Sequence, residues 1–365
     1  MEIPCIDLCA LNQVENDDKI VLSPSKFTHL KNGCIAQESL QLKLRKSFPD
    51  FLLPAFSQKA IQGTVLHELM RIYLGRDAID INDFQSTGEK IFHQEKERIF
   101  KNWPMILTTR IKLDYDSVFS LYSSLTLKPQ TIPSYDGIKP HIFKEYTLDC
   151  SEELGLKGKL DFLCILGNKG IIKDYKSSQI YADNGEIKPE YIDQLSLYSL
   201  MVKSKFSEID ELSLYLEDFS GHSASVNSSD PDLLKKEVGE VRKKVFEALQ
   251  SPYDYGNYSP GENCRYCNCK HICKYCKWTT PEPNEYFDFR GILKINEDRI
   301  DLFDNERQTA LEILFDMPHN PLFGAIKEHP QKLIFCSNLK LILKTEDKWF
   351  GKCTDLSAFA IIKDE

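Results

Sequence analysis

Apolar positions recur at helical spacing over residues 57–74, where Ile61, Val65, Leu66, Leu69, Met70 and Tyr73 share one face, and this predicts a helix. A shorter helix is expected in LSPSKFTHLKNG (22–33), with Ser23 as cap, Pro24 at the first helical position and Gly33 as the stop. The twenty residues before it show no period and read as irregular. Residues 83–127 are mainly helical in pattern with a break at Pro104, and TIPSYDGIKPH (131–141) reads as a loop. The period then changes. HIFKEYTLD (141–149), LKGKLDFLCIL (156–166) and GIIKDYK (170–176) predict three strands, with turn chemistry at Asn168-Lys169-Gly170. A helix from about Pro189 to Val202 and a strand at ELSLYLEDF (211–219) follow. An amphipathic helix then runs from Pro231 to about Leu249, with Leu234, Val238, Val241, Val245 and Leu249 on one face. After a cysteine-rich polar loop and the linker PEPNE (281–285), the last stretch reads as short strands with a helix near 304–315.

The elements imply an α/β fold: a mixed central sheet flanked by helices, with a C-terminal α+β appendage. The expected division is an irregular segment 1–20, a main domain 21–279 with a helical insertion at about 80–140, and an appendage 280–365. The 365 residues are 42% hydrophobic and 28% charged, which excludes disordered and collagen-like chains. No apolar run approaches the roughly 18–20 residues that span a bilayer, so no membrane partner is expected. The opening MEIPCIDLCALNQVENDD lacks a basic flank and a long apolar core, so a cytoplasmic protein without a secretory signal is expected. A net charge of -9 argues against a protein held on nucleic acid by overall charge, while leaving room for a local basic groove. About five of those nine charges fall in 281–365, so the appendage is not expected to be the main nucleic-acid surface.

Candidate chemistry lies in two places. The first is GLKGKLD, ending at Asp161, followed by IIKDYKSS with Asp174 and Lys176. Residues two apart on a strand share a face, so Asp174 and Lys176 should sit side by side, and a short turn brings Asp161 alongside. Two carboxylates suit a hard divalent cation that keeps water positions open, and an ammonium beside them can offset charge developing on a phosphate. His67, in an otherwise apolar helix, is a further ligand candidate as a neutral imidazole. Gln194 and Tyr198, four apart, share a helix face suited to contacting a phosphate or a base. Glu145, on the preceding strand, can reach the same place. The second is the cluster Cys264, Cys267, Cys269, Cys273 and Cys276, five of the twelve cysteines. Without a signal peptide this reads as metal ligation rather than a disulfide framework. Four thiolates from Cys264, Cys267, Cys273 and Cys276 would suit tetrahedral zinc; an iron–sulfur cluster also takes four, and Cys269, His271 or a remote residue are other choices for the fourth. Residues 264–278 carry Arg265, Lys270, Lys274 and Lys277 and no acid, which would offset an anionic site.

In this order the motifs resemble the iron–sulfur branch of the PD-(D/E)XK nucleases: the RecB-like exonucleases, including AddB-type nuclease domains and the CRISPR-adaptation nucleases. LSPSKFTHLKNGC matches the opening S-x-S helix and first cysteine, GTVLH the histidine motif, GKLD the second motif, DYKS the D-x-K motif, QLSLY the Q-x3-Y motif, and C-x2-C-x5-C the terminal cysteine trio, over roughly residues 21–278. The resemblance implies that His67, Asp161 and Asp174, with the Tyr175 carbonyl, ligate Mg²⁺ or Mn²⁺. It implies that Lys176 is the catalytic lysine, that Gln194 and Tyr198 support the site and contact DNA, and that Cys34, Cys264, Cys267 and Cys273 bind a structural [4Fe–4S] cluster. The activity implied is a metal-dependent deoxyribonuclease, an exonuclease on single-stranded DNA in repair or recombination, with a separate helicase subunit as a partner. The alternatives are an idle DNA-binding scaffold subunit and a CRISPR-adaptation nuclease. Cys34 is followed by Ile35 and Ala36 where the family carries proline and a basic residue, Cys269 and Cys276 are extra, no Walker A sequence occurs, and residues after about 280 match nothing in the family.

Overall fold

The computed structural model describes residues 3, 5–7, 19–47, 58–76, 78–102, 111–127, 140–176, 179–218, 222–250, 256, 258–261, 264, 267, 269–278, 280–296, 299–305, 307–315, 321–354 and 357–363. A strand β1 (Cys5–Asp7) opens the chain, followed by α1 (Pro24–Lys31), α2 (Ile35–Ser47), α3 (Gln58–Tyr73), α4 (Ile81–Asn102) and α5 (Tyr115–Leu127). Strands β2 (His141–Cys150), β3 (Leu156–Leu166) and β4 (Lys169–Lys176) come next, then α6 (Pro189–Lys205), β5 (Glu211–Asp218), β6 (Ser223–Val226) and α7 (Pro231–Gln250). Among the described residues no helix is long and apolar enough to cross a membrane.

Strands β2 to β6 form a five-stranded sheet in sequence order. Only β4 and β5 run parallel, joined by α6 as the crossover that a parallel pair requires. One face carries Leu163, Ile172 and Leu214 against Leu195 and Val202 of α6 and Val238 and Val245 of α7. The other carries Phe162, Cys164 and Tyr175 against the core built from α3, α4 and α5. The cap of α1 is as expected, with the Ser23 hydroxyl accepting the Lys26 N–H at 3.2 Å. Gly158, the glycine of GKLD, permits the close packing of α1: a Cβ there would stand 2.7 Å from Pro24 Cδ and 3.0 Å from the Tyr198 ring.

The remaining strands are β7 (Tyr286–Asn296), β8 (Arg299–Asp304), β9 (Thr309–Leu314), β10 (Leu333–Lys344), β11 (Lys348–Lys352) and β12 (Ala358–Lys363), with a short α8 (Pro321–Lys327) between β9 and β10. The order β7-β8-β9-β11-β10 closes through pairing of β10 with β7, giving a small five-stranded barrel, and β12 extends it from β10.

Three expectations are corrected. The helix expected near 304–315 is absent: Thr309–Leu314 is a strand with Leu311 and Ile313 buried in the barrel, and the alternation of TALEIL outweighs its helix formers. The first twenty residues are not wholly irregular, since Cys5–Asp7 pairs in parallel with Ile361–Lys363. The helix Ile35–Ser47, directly after the Gly33 stop, was not anticipated; it buries Ala36, Leu40 and Leu44. The break at Pro104 and most of the loop at 131–141 fall outside the described residues.

Candidate active site

The β3–β4 ladder ends at Phe162↔Lys173. Beyond it, Asp161 Oδ2 accepts the Tyr175 N–H at 2.7 Å, a side chain standing in for a strand. The alternation of β4 puts Asp174 and Lys176 on one face, and Asp174 is buried. Lys176 Nζ lies 2.6 Å from Asp174 Oδ2 as an ion pair whose angles are not those of a hydrogen bond, and it donates to Gln194 Oε1 at 2.7 Å. Gln194 Nε2 closes the ring on Asp174 Oδ1 at 3.4 Å. The ammonium also sits 4.6 Å from the centroid of the Tyr191 ring. Tyr198, one turn beyond Gln194, donates its hydroxyl to the Lys159 carbonyl at 2.7 Å, and burial pushes its own ionisation far up.

Glu145 completes the site. It has φ +48°, a left-handed conformation unusual for a residue other than glycine. The side chains facing the α6–α7 core are Phe143 before it and Tyr146, Leu148 and Cys150 after it, so the alternation of β2 skips a step at Glu145. Opposite, β3 skips at Asp161, with Leu156 and Leu160 before it and Leu163 and Ile165 after it facing that core. The two irregularities aim both carboxylates at His67 of α3, and one ligand atom from each of His67, Glu145 and Asp161 lies within 4.8 Å of the others. Lys159 pairs with Glu145 at 2.6 Å. Burial lowers the pKa of His67 and keeps its imidazole neutral, while burial and the nearby Asp174 hold the Asp161 carboxyl well above its usual value.

This donor set fits a divalent cation: two carboxylates and a neutral imidazole converge where carboxylates alone repel. Asp174, also expected as a ligand, lines the same groove with its oxygens facing Lys176 and Gln194. Two outcomes follow from the crowding. Asp161 binds its proton more tightly folded than unfolded, so apo-protein stability is lost as pH rises from the ordinary carboxylate range through its raised folded value. Asp161→Asn keeps an acceptor for Tyr175 and should melt a few degrees higher than wild type in EDTA near neutral pH, a gain of about 1 kcal/mol that shrinks toward pH ~4. Glu145→Gly removes a left-handed strain of about 1–3 kcal/mol, so denaturant unfolding should show equal or greater stability. The same variant should need about 10–100-fold more Mn²⁺ in a metal titration.

Asp161, Asp174 and Lys176 floor an open groove of about 700 Å³, which His67 also lines. Ser25, Thr28, His29 and Asn32 of α1 and its cap wall one side, and Glu190, Tyr191 and Gln194 of α6 line it too. His29 also lines a second cavity, formed by Cys34, Cys264, Cys267, Cys269, Cys273 and Cys276. Cys34 reaches it from the start of α2, and the others come from one tight loop in which the Cys273 N–H donates to the Cys269 carbonyl at 2.9 Å. A hydrogen bond from Cys269, with Lys270 nearby, brings the Cys267 thiol down to about 7, and burial pushes Cys273 up to about 12. Thiols gathered without a carboxylate in the lining fit a thiophilic metal group. The expected ligand candidate His271 is outside the lining, fully buried with its ring 5.6 Å from that of Phe335. The barrel packs on this loop: Lys270 pairs with Asp288, Arg290 donates to the Cys273 carbonyl at 3.1 Å, and Trp278 has the Arg307 guanidinium 5.0 Å from its ring centroid.

The structure therefore gathers His67, Asp161, Asp174, Tyr175, Lys176, Gln194 and Tyr198 around one groove and Cys34, Cys264, Cys267 and Cys273 around one cavity. The profile of the PD-(D/E)XK nuclease superfamily matches residues 22–274. No curated protein sequence matches. Among solved structures the chain is similar to a candidate exonuclease from Eubacterium rectale, with 14% identity and a TM-score of 0.38 over 73% of this chain and 96% of that one. It is also similar to the protein SSO0001, with 13% identity and a TM-score of 0.25 over 59% of this chain and 95% of that one. Likenesses this low carry no part of the functional argument.

Proposed function

Because this chain belongs to the PD-(D/E)XK nuclease superfamily, we propose that it is a divalent-metal-dependent deoxyribonuclease of the RecB-like iron–sulfur branch, an exonuclease acting on single-stranded DNA. The observation that carries this reading is the convergence of His67, Glu145 and Asp161, of which His67 and Asp161 line the groove together with the Asp174–Lys176–Gln194 ring.

His67, Glu145 and Asp161 would hold Mg²⁺ or Mn²⁺, joined by Asp174 and the Tyr175 carbonyl when Lys176 turns to substrate. When bound, the ion polarises the scissile phosphate and acidifies a water. Lys176 holds a positive charge where the phosphate gains negative charge and orients the attacking water. Gln194 fixes the direction of that ammonium, and Tyr198 ties α6 to β3 next to Asp161, so that the helix carrying Gln194 keeps its place over the site. The Ser25 hydroxyl and the Asn32 amide, on the wall of the groove, would donate to the DNA backbone. On the barrel, Lys348 lies 2.8 Å from Glu312 and Arg307 lies 2.7 Å from Asp304, so acids of its own meet these cations.

At the cysteines, the reading is a [4Fe–4S] cluster held by Cys34, Cys264, Cys267 and Cys273, with zinc as the competing occupant. Linear and circular single strands of the same sequence test the mode of attack. Linear DNA should be degraded with Mn²⁺ while circular DNA survives; cleavage of circles would replace the exonuclease with an endonuclease. DNA retained on gels but left intact in Mg²⁺ and Mn²⁺ would favour an idle scaffold beside a helicase.

A further inference from the structure

Lys159 and Lys176 are the side chains lining the groove that carry a full positive charge at neutral pH, and each has its ammonium on a carboxylate of the site. Lys176 is paired with Asp174. Lys159 is paired with Glu145 at 2.6 Å, and the two ends of that pair differ. The Lys159 side chain is 51% exposed and lies along the groove, whereas Glu145 is 11% exposed. The ammonium therefore has room to move and the carboxylate does not. The backbone of Lys159 is held on two sides, by the ladder to Thr147 of β2 and by the Tyr198 hydroxyl, which donates to its carbonyl at 2.7 Å. A change of partner is thus confined to the lysine side chain. Glu145 is also the carboxylate that converges with His67 and Asp161, so its oxygens face two cations in competition: this ammonium, and a divalent ion with three donors around it. A half-exposed ion pair is weak and screened by solvent, so the ammonium is the partner that yields.

We propose that Lys159 is a metal-gated phosphate-binding residue: when Glu145 turns to a divalent ion, the Lys159 ammonium is released to a phosphate of the strand lying in the groove. The proposal rests on the nuclease reading above and adds a coupling to it. Because Glu145 cannot serve both cations fully, metal and strand each favour the binding of the other, and the coupling is reciprocal. A strand that arrives first meets a groove whose lysines are turned to its own carboxylates. A strand that arrives after the metal meets an ammonium free to pair with it, so the groove holds DNA most firmly when it is ready to cut.

The test uses full-length protein carrying Lys176→Ala, which keeps the strand intact during titration and leaves Lys159 as the remaining lysine of the groove lining, beside the same protein with Lys159→Met added. Methionine keeps most of the apolar stem and removes the charge, and far-UV circular dichroism reports the fold. Mn²⁺ binding is read from the paramagnetic resonance of the free ion. Binding of a labelled single strand is read by fluorescence anisotropy at several salt concentrations, in EDTA and in saturating Mn²⁺. Without the strand, Lys159→Met should tighten Mn²⁺ binding by about 2–5-fold, because the competing ammonium is gone. In Mn²⁺ it should weaken strand binding and flatten the dependence of log affinity on log salt by about 0.7, the share of one single-strand phosphate contact, while in EDTA the slope should not change. Lys159→Arg, which keeps the charge, should restore the slope in Mn²⁺. Mn²⁺ binding that is unchanged or weaker in Lys159→Met would overturn the proposal, since Lys159 would then not compete for Glu145. A slope that falls equally in EDTA and in Mn²⁺ would overturn it too, since the phosphate contact would be ungated. Failure of the metal-dependent reading itself is told apart because Mn²⁺ would then not bind even with Lys159 in place.

Discussion

Single-turnover cleavage of single-stranded DNA should fall by about 10³-fold when Lys176 is replaced by alanine. The ammonium is the cation of the ring with Asp174 and Gln194, at 2.6 and 2.7 Å, and it faces the groove where a phosphate would lie. Its removal takes away both the charge that offsets the developing phosphate charge and the group that orients water. The loss should fall on the cleavage step, with DNA affinity changed by less than about tenfold, because binding is spread over the groove walls. The fold should persist by circular dichroism, with some loss of stability because Asp174 is left buried beside Asp161 without its cation. Cleavage by Lys176→Ala at the wild-type rate would remove the core of the mechanism.

The second large effect concerns stability. Cys273→Ala should abolish the cluster and its colour and lower the melting temperature on the order of 10 °C. Bonding Cys34 to Cys273 closes a loop of about 240 residues, for which the chain-entropy model gives about 5 kcal/mol, and for a chain of this size that converts to a shift of this order. The loop also seats the barrel through Lys270 and Asp288 and through the Cys273 carbonyl and Arg290, so the barrel contacts should loosen as well. A variant that melts with wild type would show that the cavity is not a staple.

Much of the site was legible because strand periodicity is rigid. Asp174 and Lys176 had to share a face, and one tight turn had to bring Asp161 near them; Gln194 and Tyr198 had to share a helical face. Glu145 was harder, although its signal was present. The apolar series in β2 passes from Phe143 to Tyr146 and Leu148, and in β3 from Leu160 to Leu163, so each alternation slips at a carboxylate. A slip of one residue reads as noise in one strand and as a device only when two paired strands slip together. The barrel was less legible. TALEIL has both helix formers and strand alternation, and its choice is made by β8 and β11 on either side, the latter nearly forty residues away in sequence. Cys5–Asp7 is similar: three residues form a strand only because β12 offers its edge.

The proposed nuclease would cut DNA in this groove with a metal ion held by His67, Glu145 and Asp161. It is tested most directly by incubating wild-type protein, purified without oxygen, with a 5′-labelled linear single strand in Mn²⁺, in Mg²⁺ and in EDTA. With either metal the full-length strand should disappear, into a shortening ladder if digestion starts at the 3′ end or into short labelled fragments if it starts at the 5′ end, and in EDTA it should stay intact. Intact DNA under all three conditions, or cleavage undiminished by EDTA, would contradict it.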